Sequence, residues 1–151
     1  MSLTEVKSFY GRHVSNVACV IFAGRDRIVT FTEKNGTVGL PAGEVEEKKD
    51  LGVFKAMMRE YREESGHSLP QLYHLRKYVW THKNGSLTAI FAGKTDSMIK
   101  THLGSRADGE IKAIRLTKIS DFTAACKGRR NFKVRWCAQK SSLAAIRAYR
   151  K

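Results

Sequence analysis

Cysteine is scarce in this chain, and its distribution excludes two classes of protein. Cys19, Cys126 and Cys137 are odd in number and far apart, so they form neither a disulfide framework nor the close ligand spacing of a zinc site. Histidine offers no ligand pair either. We expect reduced, structural cysteines and a catalytic centre that does not use them.

Long apolar runs are also missing. No stretch approaches the length of a membrane span, and the first residues, Met-Ser-Leu-Thr-Glu-Val-Lys-Ser, lack the apolar core of a signal peptide. A chain of 151 residues with 42% hydrophobic and 28% charged residues is typical of one globular domain. The sequence therefore predicts a single domain over residues 1–151, located in the cytoplasm or nucleus, with no membrane partner.

Acidic residues are depleted from the second half only. Residues 1–70 hold 10 Lys/Arg and 10 Asp/Glu, whereas residues 71–151 hold 18 Lys/Arg and 4 Asp/Glu, which produces the net charge of +14. Such asymmetry favours a surface that faces a polyanion, nucleic acid first of all. The alternative is a solvated basic face that only aids solubility.

The chain alternates between strand and helix patterns. β-Branched and alternating apolar residues predict strands over 14–22, 28–32, 37–40, 72–81, 86–93 and 110–116. Helical spacing predicts a helix from about Asp50, its N-cap, with a buried stripe of Val53, Phe54, Met57, Met58 and Tyr61, and two later helices over 119–126 and 134–149. Residues 96–103 suit a short helix or an ordered loop. This order predicts an α/β fold with a mixed sheet and helices on both sides.

The most informative stretch runs from Gly39 to His67, GLPAGEVEEKKDLGVFKAMMREYREESGH. Glu60, Glu63 and Glu64 are spaced so that they neighbour one another on the helix surface, and Gly66 is a stop signal. Like charges at these spacings repel by a few tenths of a kcal/mol per pair. A bound divalent cation would reverse that penalty.

This stretch resembles the signature of the Nudix hydrolases, which is Gly, five residues, Glu, seven residues and then Arg-Glu-apolar-x-Glu-Glu-x-Gly-apolar. Gly43 fits the first position, and residues 59–66, REYREESG, fit the second half without a gap. One departure is the spacing: 15 residues, 44 to 58, separate Gly43 from Arg59, two more than in the family. Counting from either end puts Lys49 or Leu51 at the Glu position, and we expect Asp50 or Glu47 to substitute for it.

The resemblance implies the Nudix α/β/α sandwich and a pyrophosphohydrolase that uses Mg²⁺ or Mn²⁺. It assigns metal coordination to the Ala42 carbonyl and to Glu60, Glu63 and Glu64, and it gives Arg59 the role of orienting these carboxylates. Hard cations prefer such oxygen ligands. A further carboxylate from a later loop is common in the family; Asp96, Asp108, Glu110 and Asp121 are available, and Glu110 is our candidate for the base.

The substrate is less well defined. Arg129, Arg130 and Lys133 are candidate phosphate contacts, and Tyr10, Tyr78, Trp80, Phe132 and Trp136 could stack a base, although aromatic residues more often pack in a core. The Leu40-Pro41-Ala42-Gly43 lead-in resembles family members that act on ADP-ribose or nucleotide sugars. The basic second half favours capped RNA instead, and a non-catalytic nucleotide- or RNA-binding module is the third hypothesis.

Overall fold

The structure is a computed structural model that describes residues 1–48 and 50–151. Its strands are β1 (Ser2–Val6), β2 (Asn16–Ala23), β3 (Arg27–Glu33), β4 (Val38–Gly39), β5 (Ala42–Glu44), β6 (Tyr73–Thr81), β7 (Leu87–Thr95) and β8 (Ile111–Lys118). Its helices are α1 (Val53–Ser65), α2 (Ile119–Cys126) and α3 (Gln139–Tyr149), and a 3₁₀ turn spans Trp136–Ala138. No helix of the described residues is long and apolar enough to cross a membrane.

One mixed sheet organises these elements. The strand order is β1-β6-β7-β2-β3-β4, with β5 paired to β2 and β8 paired to β3. β2 and β7 run parallel, with Asn16 opposite Thr88, whereas the other pairings are antiparallel. Residues 17 and 19–22 of β2 are buried, as expected for a central strand that is covered on both faces.

Alternate residues of the central strands feed two separate cores. Val20 and Phe22 pack with α2 and α3, whereas Cys19 and Ile21 pack with Ala56, Met57 and Tyr61 of α1. Helices therefore cover both faces of the sheet, because side chains alternate along a strand. The predicted α/β/α sandwich is confirmed.

Two strands were not predicted. β1 pairs with β6, Ser2 opposite Thr81, and β5 pairs with the start of β2, Gly43 opposite Val17. Both are short and weakly patterned, so pairing with a neighbour stabilises them more than their own composition does. β5 matters for the site because it brings the Gly43 loop alongside α1.

The predicted start of α1 was wrong. The helix begins at Val53, directly after Gly52. Gly52 has a φ of 121°, a conformation that favours glycine, and no side chain caps the helix. Asp50 lies before the helix because its carboxylate accepts hydrogen bonds from Arg59 instead. The predicted buried stripe is confirmed for Met57 and Tyr61. Phe54 and Met58, which were also predicted to be buried, are each 37% exposed.

The predicted C-terminal helix was also too long, and residues 96–103 form a loop without a helix. Val134 makes a parallel bridge with Val38 of β4, and α3 begins only at Gln139. The three cysteines are free, and Cys19 and Cys126 are buried, but Cys137 is exposed and so has no core role.

Candidate active site

Helix α1 is held at its C-terminal end by the loop before β8. Gly66 adopts the left-handed conformation with φ 78°, and a Cβ there would lie 2.6 Å from the backbone of Gly104. The Gly104 N–H donates to the Ser65 carbonyl at 2.8 Å, and the Asp108 N–H donates to the Glu63 carbonyl at 2.8 Å. This docking carries the loop that ends at Glu110 to the acidic face of α1.

Arg59 organises the carboxylates around it. Its Nε and Nη2 donate to the two oxygens of Asp50 at 2.7 and 2.9 Å, and Nη2 also donates to the Glu44 carbonyl at 2.9 Å. Its Nη1 donates to Glu60 Oε1 at 3.0 Å and to Glu63 Oε2 at 3.1 Å. Such charge-assisted, forked contacts fix the orientation of the two glutamates.

Asp50 takes the supporting position that the altered spacing left open. Its side chain is 2% exposed, and it accepts a hydrogen bond from the Glu46 N–H at 2.8 Å. Glu47, the other candidate, lies on the surface with its carboxylate 3.3 Å from His13 Nδ1. Leu51 is 92% exposed, and Lys49 lies outside the described residues. Asp50 therefore supports Arg59.

Gly43 is required by the position of Glu60. A Cβ on Gly43 would overlap the Glu60 carboxylate, so only glycine permits the two elements to approach so closely. This contact places β5, with Ala42 next to Gly43, against the acidic face of α1. The predicted partners from the loop and the helix are thus neighbours.

The half-buried carboxylates of Glu60 and Glu64 are destabilised in their charged forms. Burial, followed by the charge of Glu60, raises the pKa of Glu64 to about 8, while Arg135 opposes that shift and Glu110 and Asp108 add to it. Burial also raises the pKa of Glu60, against the hydrogen bond from Arg59. The charge of Glu110 contributes to both shifts, so Glu110 lies within electrostatic range of the two glutamates. The cluster concentrates negative charge where water solvates it poorly.

The cluster fits a hard divalent cation by its donor chemistry. Among the described residues, no three His, Cys, Asp or Glu side chains stand in a preassembled metal-ligand arrangement. Glu64 Oε1, however, is buried without a hydrogen-bond partner, and unsatisfied buried acceptors are costly. A cation with oxygen ligands would satisfy that atom and offset the repulsion among the carboxylates.

The three predicted phosphate contacts form hydrogen bonds with α2 and β4. Arg130 Nε donates to Asp121 Oδ1 on α2 at 3.1 Å, and the Arg129 N–H donates to the Ala124 carbonyl. The Lys133 carbonyl accepts from the Val38 N–H at 2.8 Å, which ties residue 133 to β4. Within the described chain, no hydrogen bond or ion pair joins these three side chains to the glutamates.

Arg135 is the basic side chain that sequence reasoning missed. Its N–H donates to the Val38 carbonyl at 2.9 Å, and its Nη2 would lie 3.0 Å from a Cβ on Gly39, at the start of the Gly-rich loop. Its Nε lies 3.5 Å from Glu33 Oε1, and its charge lowers the pKa of Glu64. In the sequence Arg135 is one of several basic residues after Lys127, and nothing there distinguishes it from Arg129, Arg130 or Lys133.

The aromatic candidates divide by burial. Tyr78 and Trp80 are core residues, whereas Tyr10 and Trp136 are 96% and 86% exposed. Trp136 follows Arg135 directly, at the start of the 3₁₀ turn. Exposure of so large an indole beside the site leaves its face available for stacking.

Comparison with known proteins accounts for this arrangement. The sequence matches the NUDIX domain model over residues 12–136, which is most of the chain. The chain belongs to the NUDIX domain family. A comparison with curated proteins found no match.

Solved structures of Nudix proteins share its fold. The NUDIX domain of Shewanella oneidensis NrtR, solved with ADP ribose, is 13% identical with a TM-score of 0.61, and the match covers 94% of this chain and 91% of that one. A NUDIX hydrolase from Nitrosomonas europaea is 29% identical, with a TM-score of 0.52 and coverage of 74% and 77%. A C. elegans Ap4A hydrolase is 17% identical, with a TM-score of 0.58 and coverage of 89% and 96%.

Family membership confirms the enzyme class predicted from Gly43 and residues 59–66. The protein is a Nudix pyrophosphohydrolase. Its supporting aspartate comes from a loop that is two residues longer than the family pattern, and the Arg59 network is complete nonetheless.

Proposed function

We propose that this Nudix hydrolase uses Mg²⁺ or Mn²⁺ to cleave the pyrophosphate linkage of a nucleoside diphosphate joined to another moiety, of the ADP-ribose or nucleotide-sugar type. One observation carries the proposal. Arg59 positions Glu60 and Glu63 beside a half-buried Glu64, whose Oε1 is buried without a hydrogen-bond partner. That arrangement is costly for folding and useful for holding a cation.

The proposed metal ligands are Glu60, Glu63, Glu64 and the carbonyl of Ala42. When bound, a divalent cation neutralises phosphate oxygens and activates water at neutral pH. The protein contributes the rigid arrangement: α1 fixes the spacing of the glutamates, and the contact of Gly43 with Glu60 sets the distance to β5. Arg59 keeps the carboxylates oriented through its contacts to Asp50 and Glu44.

Glu110 is the proposed general base. It lies on the loop that docks on the end of α1, and its charge acts on both Glu60 and Glu64. A carboxylate outside the set of proposed ligands can accept a proton from the attacking water. Removing it should lower kcat more than it changes KM.

Arg135 and Trp136 are the proposed substrate contacts. A guanidinium matches phosphate geometry, and Arg135 lies between the Gly39 loop and Glu33 within range of Glu64. The exposed indole of Trp136 would stack the nucleobase. Two proteins of the same fold, the NrtR domain solved with ADP ribose and the C. elegans Ap4A hydrolase, support a small nucleotide-derived ligand.

Capped RNA is the second candidate substrate. It is favoured by the excess of Lys/Arg over Asp/Glu in residues 71–151, 18 against 4. Binding through many phosphates weakens steeply with salt, whereas turnover of a small nucleotide changes less. The salt dependence of KM therefore distinguishes the two substrates.

The decisive experiment is a substrate panel of ADP-ribose, nucleotide sugars, dinucleoside polyphosphates, NADH and capped RNA, each with Mg²⁺ and with Mn²⁺. We expect release of a nucleoside monophosphate from a small nucleotide, and loss of at least about 100-fold in kcat for Glu63→Gln or Glu64→Gln. Arg135→Gln should raise KM, and Arg130→Gln is the matched control, since it removes the same charge from a residue that pairs with Asp121.

Three results would contradict the proposal or one of its parts. Absence of turnover for every substrate with either metal would contradict hydrolysis itself. Equal turnover by the wild type and both glutamate variants would contradict the metal assignment, and equal KM values for the two arginine variants would remove Arg135 from the substrate site.

A further inference from the structure

A large cavity lies at the opposite end of the sheet from the carboxylates. It measures about 610 Å³ and is formed by four segments: the β2–β3 turn, the start of β6, the end of β7 and the end of α3. Its lining is Phe22, Gly24, Arg25, His74, Arg76, Lys94, Tyr149, Arg150 and Lys151. Its volume falls in the range of ligand sites.

The cavity is separate from the active site. β2 carries both: Val17 pairs with Gly43 beside Glu60, and Phe22 lines the cavity. Five residues of extended strand span about 16 Å. A ligand in the cavity therefore need not touch the proposed metal ligands.

Positive charge dominates the lining. Five of its nine residues are Lys or Arg, all of them exposed, and none of the described lining residues has an Asp or Glu side chain. The charge of Glu5, on the neighbouring β1, acts on Arg76. Five cations around one concave surface repel each other, and a polyanion would relieve that repulsion.

Part of the cavity is already ordered. The rings of Phe22 and Tyr149 stack at 4.7 Å, and the Arg76 guanidinium lies over the Tyr149 ring at 5.6 Å. The Tyr149 hydroxyl donates to the His74 carbonyl at 2.9 Å. His74 has φ 52°, in the left-handed region that a histidine seldom adopts. Arg76 is thus held in place before any ligand binds.

We propose that this cavity binds the phosphate backbone of single-stranded nucleic acid. The cations are exposed and distributed over four segments, which suits a chain of phosphates better than one enclosed phosphate group. Tyr149 is already covered by Phe22 and Arg76, so the contact is to phosphates and independent of base sequence. The proposal does not depend on which substrate the active site cleaves.

The test is binding of a fluorescein-labelled single-stranded RNA of about 12 nucleotides with a 5′ hydroxyl. This probe contains no pyrophosphate bond, and EDTA is present, so hydrolysis plays no part. Fluorescence anisotropy at several salt concentrations gives Kd and its salt slope. Arg76→Gln with Lys94→Gln should raise Kd about tenfold at 0.1 M salt and reduce the slope by about 1.4, since each single-strand phosphate contact contributes about 0.7.

The matched control is Arg12→Gln with Lys83→Gln, which removes two exposed charges away from the cavity. A second cavity variant, Arg25→Gln with Lys94→Gln, leaves the contact between Arg76 and Tyr149 intact and guards against misfolding. Equal losses in the cavity and control variants would overturn the proposal, because net charge alone would then explain binding. Equal competition by inorganic tripolyphosphate, mole for mole with RNA, would instead identify a small-anion site.

Discussion

Replacing Glu64 by glutamine should stabilise the metal-free protein, although the residue belongs to the proposed metal site. The wild-type carboxylate is buried, repelled by Glu60 and Glu110, and has an Oε1 without a hydrogen-bond partner. Glutamine keeps the size of the side chain and removes its charge. The gain should depend on pH, because the folded state favours the protonated acid.

The magnitude follows from the pKa of Glu64, which rises from the ordinary value of 4.5 to about 8 on folding. Below pH 4.5 both states are protonated and the shift costs nothing; between pH 4.5 and 8 the unfolded state loses its proton first, so stability falls as pH rises. One pKa unit corresponds to about 1.36 kcal/mol, which sets an upper bound of about 5 kcal/mol for the whole window. Solvent screening reduces this, and we expect about 2–3 kcal/mol at pH 8.

The assay is urea unfolding in EDTA at pH 5 and pH 8. We expect the free energy of unfolding of Glu64→Gln to exceed that of the wild type at pH 8, with a smaller difference at pH 5. Glu63→Gln is the control, since the Glu63 side chain is 43% exposed and pairs with Arg59. Identical pH dependence in the wild type and Glu64→Gln would refute the reasoning. Added Mn²⁺ should make the wild type the more stable of the two, because it keeps the Glu64 carboxylate as a metal ligand and the variant does not.

Three further substitutions test the scaffold. Asp50→Ala should lower the free energy of unfolding by about 3 kcal/mol in urea, because it removes two charge-assisted hydrogen bonds from the Arg59 guanidinium, whereas Glu47→Ala should change it by less than about 0.5 kcal/mol. Gly43→Ala should lower kcat about 100-fold, because its Cβ would displace the Glu60 carboxylate. Gly66→Ala should lower the free energy of unfolding by about 2 kcal/mol in thermal unfolding. The alanine would have to adopt a φ of 78°, and its Cβ would overlap the backbone of Gly104.

Each of these expectations has a contrary outcome. Equal destabilisation by the substitutions at positions 50 and 47 would mean that the contact to Arg59 contributes little. Full activity of Gly43→Ala would show that β5 can move away from Glu60 without loss. A Gly66→Ala protein as stable as the wild type would mean that the helix end tolerates another conformation.

The sequence predicted those elements whose signal is local. Gly66 ended α1 as predicted, and the Asn84-Gly85 turn joined β6 to β7. The predicted start of the C-terminal helix was wrong because Val134 bridges to Val38, a pairing between residues nearly 100 positions apart. Local propensity contains no information about such a partner.

The substrate contacts stay predictions, and the sequence alone ranks them poorly. Arg129, Arg130 and Lys133 were chosen because cations match phosphate, but that criterion applies equally to Arg135. Arg135 differs in the position of its side chain, whose Nη2 would lie 3.0 Å from a Cβ on Gly39 and whose charge lowers the pKa of Glu64. Only the tertiary pairing of residues 133–135 with β4 distinguishes these cations.

The extra residues before α1 show how a site can keep its geometry when its spacing changes. Two hydrogen bonds join Glu46 and Asp50, since the Asp50 N–H donates to the Glu46 carbonyl and the Glu46 N–H donates to the Asp50 carboxylate. These bonds hold the Asp50 carboxylate where it meets Arg59, at 2.7 and 2.9 Å. Arg59 requires a carboxylate within hydrogen-bond distance. Counting residues from Gly43 or from Arg59 finds that carboxylate only when the loop between them has the usual length. Counting from either end of the motif selects Lys49 or Leu51. Asp50 lies between them in the sequence, and its carboxylate is the one that accepts hydrogen bonds from Arg59.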